Sequence, residues 1–171
     1  DVLKFTYNKS GKLISAQNGS KKAVFSYDGN GRLIKKDITD SDGYTVSDIF
    51  EYNDRGELIR ATISQDESGM ANLTEEYQYD ENGMLTKKVS KNFRGMTEEY
   101  EYKNDEHGNP IEIRYTEKEH DEISYSSTET YSYEYGAKKI VAVGETDRGG
   151  VKRTYEYQKS QSVITPESDI F

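Results

Sequence analysis

Aromatic and polar residues alternate in several short stretches of the chain, and these stretches recur along it. In "KAVFSYD", Ala23, Phe25 and Tyr27 occupy every second position, and "TEEYQY" places Tyr77 and Tyr79 in the same way. A period of two predicts β-strands with one aromatic face and one polar face. Because no segment shows a sustained period of 3.6 residues, the pattern predicts an all-β protein without helices.

The alternating stretches belong to a longer repeat, which reads aromatic–x–Tyr–Asx–x–x–Gly–x–Leu. Four close copies are "FTYNKSGKL", "FSYDGNGRL", "FEYNDRGEL" and "YQYDENGML". The aromatic residues that open the seven units are Phe5, Phe25, Phe50, Tyr77, Tyr100, Tyr133 and Tyr155. The inside of the unit is nearly constant while the connections vary in length, which is typical of hairpins with a fixed tight turn. We therefore expect an antiparallel meander of about seven hairpins, or about fourteen strands.

The Asx and the glycine of the repeat predict the geometry of the turn. In "YDGNGRL", the side chain of Asp28 can accept hydrogen bonds from backbone N–H groups of a type I turn. Gly31 then takes the left-handed conformation that the following bulge requires, and glycine adopts it without steric cost. The equivalent pairs are Asn8 with Gly11, Asn53 with Gly56, and Asp80 with Gly83.

This turn also predicts which residues face each other across the hairpin. Tyr27 lies opposite Leu33, and Phe25 lies opposite Lys35, so the motif tyrosines are expected to belong to the core. The same register places three basic residues on the aromatic face: Lys35, Arg60 and Lys87.

The later units depart from the repeat. "DEHGNPI" carries its turn two residues late, and Pro110 replaces the leucine. Proline cannot donate to a ladder, so the strand that begins there is expected at an edge or beside a bulge. After Tyr135, "GAKKIVAV" indicates a shortened turn, and Gln161 occupies the glycine position of the last unit.

Length and composition predict one folded domain. The 171 residues are interpreted as a single repeat-built β domain over 1–171, with residues 160–171 as a frayed tail. Aliphatic residues are scarce, but 15 regularly placed tyrosines supply buried ring area in their place. About fourteen strands fit either an open twisted sheet or a barrel, and open sheets of that size are unusual without curling. We therefore expect the meander to curl into a barrel or half-barrel.

Charge and cysteine content exclude several functions. The formal net charge of −9 disfavours nucleic acid as a partner, because that affinity rests on Lys and Arg neutralising phosphates. The sequence contains no cysteine, which excludes a disulfide framework and a thiolate metal site.

The repeat resembles the tyrosine–aspartate (YD) repeats of the Rhs and teneurin proteins. "YDGNGRLIK", "YNDRGELIR" and "YDENGMLTK" carry the likeness most clearly, and "DEHGNPIE" is similar to a common variant. The resemblance covers about five units from Phe5 to Glu112 and weaker units up to Ile164. The chain is also similar to small YD-like exported proteins and lipoproteins of Gram-negative gut bacteria, some with a porin-like barrel. This likeness implies export to the periplasm or cell surface, with any lipid anchor on a segment before Asp1. It implies no particular activity, because a fold hosts many functions.

No set of residues predicts catalysis, and we expect no enzyme, no cofactor and no metal. The sequence contains no phosphate loop and no nucleophile elbow. His107 lies in a predicted turn, and His120 lies in the acidic run "EKEHDE", whose neighbouring side chains point in different directions. "DITDSDGYTVSD" shares acidic residues and a glycine with a calcium loop, but hydrophobic residues occupy its first and last ligand positions, so an inter-hairpin turn explains it better. Carboxylate pairs on neighbouring strands leave a glycan hydrolase as a less favoured alternative.

The remaining class of function is binding. Tyrosine gives rigid amphipathic contact area at low entropy cost, so a Tyr-rich sheet suits a glycan or a protein partner. Tyr44, Tyr115 and Tyr125 lie outside the motif, and we expect them to form the binding surface. The sequence therefore predicts a non-catalytic, exported envelope protein with a soluble β domain that binds a glycan or an envelope protein. The alternative is a purely structural scaffold.

Overall fold

The computed structural model describes residues 3–64, 72–135, 140–146 and 153–157, with side chains described up to residue 133. Within these ranges every regular element is a β-strand, which confirms the all-β prediction. The described part of the chain contains no helix long and apolar enough to cross a membrane.

Thirteen strands follow one another along the described chain. Their bounds are β1 (Leu3–Tyr7), β2 (Leu13–Asn18), β3 (Lys21–Tyr27), β4 (Leu33–Thr39), β5 (Thr45–Tyr52), β6 (Leu58–Ser64), β7 (Asn72–Tyr79), β8 (Leu85–Asn92), β9 (Met96–Asn104), β10 (Pro110–Glu119), β11 (Glu122–Tyr135), β12 (Ile140–Thr146) and β13 (Arg153–Tyr157). The strands are hydrogen-bonded in chain order. Neighbouring strands run antiparallel, as in β1–β2, β5–β6 and β9–β10, which confirms the predicted meander.

The sheet is open in the described residues. Its strand order begins at β1 and ends at β13, and no described ladder joins these two strands. A closed barrel requires such a ladder, so the closed form of the predicted barrel is absent from this pairing. The count of seven hairpins stays a prediction, because the residues after Tyr157 lie outside the described ranges.

The chain divides into two compact units. The first comprises residues 1–75 and 165–171, and the second comprises residues 76–164, so the boundary falls within β7. The predicted single domain over 1–171 is untested, and the predicted frayed tail at 160–171 lies outside the described residues.

The tight turns have the predicted geometry. Asp28 accepts hydrogen bonds through its side chain from the backbone N–H groups of Asn30 (3.0 Å) and Arg32 (2.8 Å). Gly31 has a φ of 78° and donates its N–H to the Asp28 carbonyl at 2.9 Å. The backbone N–H of Arg32, helped by its guanidinium, lowers the pKa of Asp28. The equivalent glycines also have positive φ angles: Gly11, Gly56 and Gly83.

Two connections between hairpins contain the same kind of turn. Asp40 accepts the N–H groups of Asp42 (2.9 Å) and Tyr44 (3.0 Å) through its side chain, and Asn92 caps the turn between β8 and β9 in the same way. The predicted inter-hairpin turn at "TDSDG" is therefore confirmed. An Asx residue followed three positions later by glycine therefore forms this turn both within the hairpins and in the connections between them.

A bulge in the return strand corrects the predicted register. Tyr27 pairs with Leu33 as predicted, but Ile34 is an extra residue, so Phe25 pairs with Lys36. The first and third hairpins contain an extra residue at the same place, Ile14 and Ile59.

The basic residues predicted on the aromatic face lie on the opposite face. Their partners on neighbouring strands are Ser26 for Lys35, Glu51 for Arg60 and Glu101 for Lys87. The prediction was wrong for Lys35 and Arg60 because their positions were counted across the bulge, and one extra residue inverts every later position in a strand.

The first unit has a small buried core on its aromatic face. The buried apolar residues of this unit are Ala16, Ala23, Phe25, Leu33, Phe50 and Ala61. The motif tyrosines Tyr27 and Tyr52 are only half-buried, so their predicted place in the core is wrong. Phe25 and Phe50 fill the interior at the first aromatic position of the second and third hairpins, Tyr27 and Tyr52 lie at its rim, and Phe5 on β1 is exposed.

This core also contains an ion pair. Lys36 and Asp48 pair across β4 and β5, with 2.8 Å between Nζ and Oδ2, and both residues are buried. The second oxygen of Asp48 accepts the backbone N–H of Ser64 at 3.0 Å. Burying the two charges is tolerable because each is paired and hydrogen-bonded.

In the first unit, two motif tyrosines connect their hairpin to the one before it. The Tyr27 hydroxyl donates to the Leu13 carbonyl at 2.7 Å, and the Tyr52 hydroxyl donates to the Leu33 carbonyl at 2.8 Å. Each of these leucines lies two residues before the first pair of the ladder between the hairpins. The hydroxyl therefore satisfies a carbonyl that this ladder does not reach.

The second unit makes the same connection with altered residues. The Tyr133 hydroxyl donates to the Pro110 carbonyl at 2.7 Å, and the Asn104 side-chain amide donates to the Leu85 carbonyl at 2.8 Å. Asn104 takes the place of tyrosine because the turn of "DEHGNPI" comes two residues late, as predicted. The register shift between Pro110 and Glu112 confirms the bulge predicted beside the proline.

A basic residue covers each tyrosine that makes this connection in the first unit. The Lys12 ammonium lies 5.1 Å from the centre of the Tyr27 ring, and the Arg32 guanidinium lies 5.0 Å from that of Tyr52. In the sequence, both basic residues lie between the glycine and the leucine of the repeat. The first and second hairpins therefore each place a cation on the tyrosine ring of the following hairpin.

Replacing Gly31 by valine should destabilise the protein. A β-branched residue is strained at a φ of 78°, so we expect the free energy of unfolding to fall by about 1–3 kcal/mol. An added Cβ also meets Cε of Lys12 at 2.8 Å and displaces that flexible side chain. Chemical denaturation of the variant and the wild type measures the change.

Gly29 provides the matched control in the same turn. Gly29 does not have a positive φ, and an added Cβ meets nothing within 4 Å, so Gly29→Ala should leave stability unchanged or raise it slightly. Equal effects of the two substitutions would contradict the assigned turn.

Replacing Tyr52 by phenylalanine should isolate the contribution of the connecting hydrogen bond. The ring stays and the donor to the Leu33 carbonyl is lost, so we expect a loss of about 1 kcal/mol in the free energy of unfolding. Tyr7 holds the same motif position in β1, is 58% exposed, and has no carbonyl acceptor for its hydroxyl within the described residues. Tyr7→Phe should therefore be nearly neutral, and a loss as large as that of Tyr52→Phe would rule out the connecting role.

Candidate functional site

Three tyrosines of the second unit form a continuous row across three neighbouring strands. Tyr100 on β9 pairs directly with Tyr115 on β10, and Tyr125 on β11 lies diagonal to Tyr115 on the same face. The ring centres of Tyr100 and Tyr115 are 4.9 Å apart, and those of Tyr115 and Tyr125 are 5.8 Å apart. Tilted rings at such distances attract each other. We call these three residues the tyrosine row.

Three further rings of the second unit stack along the strands, and one of them, Tyr102, contacts the row. Tyr102 stacks on Tyr100 with 6.4 Å between ring centres, and Tyr131 stacks on Tyr133 at 6.5 Å. All members of the row are half-buried. The second unit therefore presents an aromatic strip that is supported by its own contacts and still reaches the surface.

Burial and nearby carboxylates perturb the tyrosine at the centre of the row. Burial, the charge of Glu98 and a hydrogen bond to Glu117 raise the pKa of Tyr115 to about 12. The Tyr115 hydroxyl donates to Oε2 of Glu117 at 3.2 Å. Burial, followed by the charge of Glu98, also raises the pKa of Tyr100. Tyr100 and Tyr115 are therefore neutral at physiological pH and can donate hydrogen bonds.

Two carboxylates lie on the same face as the row. Glu98 on β9 pairs directly with Glu117 on β10, two pairs along the ladder from Tyr100 and Tyr115 and therefore on the same face. Glu117 also accepts a hydrogen bond from the hydroxyl of Ser124 at 3.1 Å. The face thus combines ring surface with acceptors at one end of the row.

The opposite face of these strands carries a network of ion pairs. Glu99 pairs with Lys87 at 2.8 Å and with Lys118, and these contacts, led by that to Lys118, lower the pKa of Glu99. Further pairs on this face join Arg114 to Glu101 at 3.7 Å and Lys103 to Glu112 at 2.9 Å. This charged face explains how an acidic sheet tolerates many glutamates on adjacent strands.

The structure brings together two of the three predicted binding residues. Tyr115 and Tyr125 are in contact, while Tyr44 belongs to the first unit, follows the turn glycine Gly43 and is 69% exposed. Tyr44 is not part of the tyrosine row. The hairpin motif does not require Tyr115, but the fold uses it, since it lies between Tyr100 and Tyr125.

Sequence reasoning missed Tyr100 as a site residue because it opens a repeat and was interpreted as a core position. The signal that could have identified it is the register of β9 and β10. Counting from the late turn at Asp105–Gly108 aligns Tyr100 with Tyr115.

The histidines and the acidic loops occupy turns. His107 lies in the Asp105 turn as predicted, and His120 with Asp121 forms a two-residue hairpin turn with φ angles of 50° and 68°. Asp40 caps backbone N–H groups. Within the described ranges, no three His, Asp or Glu side chains are grouped so that they could hold a metal ion.

No protein-family model and no curated protein matches the chain. The likeness to YD repeats therefore rests on the motif alone and stays a prediction. Function must be argued from the geometry of the tyrosine row.

Alkaline pH should destabilise the protein partly through Tyr115. Its folded-state pKa is about 12 against an ordinary value of 10.0, so the folded state resists losing the proton. The resulting stability is complete below the unfolded-state pKa and is lost as the pH rises from about 10 to about 12. Denaturant unfolding across this range should show the loss, and Tyr115→Phe should reduce its slope. If Tyr115→Phe left the pH dependence as steep as the control Tyr44→Phe does, the burial of the Tyr115 hydroxyl would be contradicted.

Proposed function

We propose that this chain is a non-catalytic binding module and that the tyrosine row binds a glycan. The observation that carries the proposal is the row itself, in which Tyr100, Tyr115 and Tyr125 touch across three strands and remain half-exposed. Sugar rings offer apolar C–H surfaces that pack on aromatic faces, and their hydroxyls need hydrogen-bonding partners. Binding sites typically combine apolar surface with a few placed polar groups, and here the tyrosine hydroxyls and Glu117 supply them.

The place we propose for this module is the bacterial envelope. The support is the resemblance of "YDGNGRLIK" and its copies to YD repeats of exported proteins, and export to the periplasm or cell surface follows from that resemblance. An envelope protein is the alternative ligand, because tyrosine-rich surfaces also suit protein partners. A purely structural scaffold is the alternative role, and the use of Tyr27 and Tyr52 as connecting residues favours it for the first unit.

We also propose that the sheet curls towards a half-barrel with its aromatic face on the inside. In the first unit the aromatic face is more buried than the other: Phe25 and Phe50 are 5% and 7% exposed, against 37% for Val24 and 44% for Ile49. Twist accumulates between neighbouring strands and gives large sheets a concave face. A concave aromatic face would suit a chain-like ligand.

Truncating a tyrosine of the row should weaken glycan binding. We expect Tyr125→Ala and Tyr115→Ala each to weaken binding about tenfold or more, because aromatic anchors contribute most of the energy at such surfaces. A glycan array identifies a ligand for the full chain, and isothermal titration calorimetry measures the affinities. Tyr125→Ala is the cleaner variant, because Tyr125 is at the end of the row and Tyr115 is at its centre.

Tyr44→Ala is the control, since it removes an exposed ring outside the row. Binding should persist in Tyr44→Ala, and the melting temperature of each variant separates lost affinity from lost folding. A ligand whose affinity is unchanged in both row variants would refute the assignment of the site. Reproducible hydrolysis of a bound polysaccharide would favour the alternative of a hydrolase.

A further inference from the structure

Within the part of the chain that the structure describes, the two carboxylates beside the tyrosine row have no basic partner. Glu98 and Glu117 face each other directly on β9 and β10, which places their Cβ atoms about 5 Å apart. Among the described residues, neither forms an ion pair with a lysine or arginine. The contacts of Glu117 are the neutral hydroxyls of Tyr115 and Ser124.

The other face of the same strands shows the opposite arrangement. Glu99, which follows Glu98 in β9, contacts both Lys87 and Lys118, and Glu101 contacts Lys87 and Arg114. Cations are therefore available in these strands, and they lie on the face without the tyrosine row. Glu98 and Glu117, which form no ion pair with a described lysine or arginine, lie on the same face as the tyrosine row.

Among the side chains that the structure describes on β8 to β10, one cation does lie on the tyrosine face, and it lies on the far side of the row from Glu117. Lys88 on β8 pairs with Tyr100, and its ammonium lies 5.9 Å from the centre of the Tyr77 ring. On β8, the residue opposite Glu98 is Ser90, which is uncharged and buried.

Both features of this face attract a positive charge. Like charges directly opposite each other destabilise a sheet, and a cation placed between them removes that repulsion. The faces of the tyrosine rings carry the negative end of their quadrupole, so they also attract cations. An anionic ligand would meet repulsion from both.

We propose that the tyrosine row is selective for glycans that carry free amino groups. A sugar ring packs on Tyr115 and Tyr125, and its ammonium group binds the carboxylates of Glu98 and Glu117. This inference rests on the glycan binding proposed above and adds the charge of the ligand to it. A neutral or acidic sugar leaves the two carboxylates uncompensated.

A pair of trisaccharides that differ only in their amino groups tests the inference. One is a glucosamine trisaccharide with free amines, and the other is its fully N-acetylated form. Calorimetry with the full chain, at a slightly acidic pH at which the amines are protonated, should show at least about tenfold tighter binding of the free amine, the scale of one charge-assisted contact. Short oligomers are used because a long polycation would bind any chain with a net charge of −9.

Matched variants separate the site from general attraction. Glu98→Gln and Glu117→Gln should each remove most of the preference for the amine, and Tyr125→Ala should weaken binding of both trisaccharides. Glu101→Gln is the control, because it removes the same charge from the same strand on the charged face. It should keep the preference.

The outcomes distinguish the two proposals. Equal binding of both trisaccharides, sensitive to Tyr125→Ala, overturns the selectivity and leaves the glycan site standing. A preference that Glu101→Gln reduces as much as Glu117→Gln also overturns it, since net charge would then explain the effect. Failure of both trisaccharides to bind overturns this inference, while the glycan array still decides the proposed function.

Discussion

A hydrogen bond between successive hairpins supports this sheet at the points where its strand ladder ends. Each of the first three hairpins closes with a capped Asx–Gly turn and a bulge, and the carbonyls of Leu13 and Leu33 lie outside the ladder to the next hairpin. The hydroxyl of Tyr27 or Tyr52 satisfies that carbonyl. Because a buried or half-buried carbonyl without a partner is costly, the phenol is needed and a phenylalanine would not suffice. This requirement explains the tyrosine at the second aromatic position of the second and third hairpins.

The tyrosine row lies in the region where a different residue makes this hydrogen bond between hairpins. The late turn at Asp105 moves the connecting position to Asn104, whose amide takes over the bond to the preceding hairpin. Tyr102, which holds the motif position of that hairpin, is then free to stack on Tyr100. The return strand β10 is ten residues long, and Tyr115 on it pairs directly with Tyr100 on β9. The departure from the repeat has therefore changed the role of Tyr102 from connecting two hairpins to supporting the tyrosine row.

The distribution of charge gives the two faces of this region different properties. On one face, lysines and arginines compensate the glutamates in pairs, which keeps adjacent acidic strands together. On the other, Glu98 and Glu117 stand opposite each other beside neutral hydroxyls, and the nearest rings carry negative faces. A sheet can place these two environments a few ångströms apart because successive side chains point to opposite sides. The same alternation separates the exposed aliphatic residues of the first unit from its buried phenylalanines.

The sequence by itself determined the elements whose causes are local. Period-two alternation predicts the strands, and Asp28 with Gly31 predicts the turn, because backbone dihedrals and side-chain capping act within a few residues. The tertiary structure decided what depends on register. The bulge at Ile34 moved Lys35 off the aromatic face, and sequence counting could not detect it because one extra residue leaves composition and period almost unchanged. Likewise, Tyr115 and Tyr125 could be singled out as tyrosines that the motif does not need, but their contact with each other and with Tyr100 is set by pairing between strands, which no local pattern encodes.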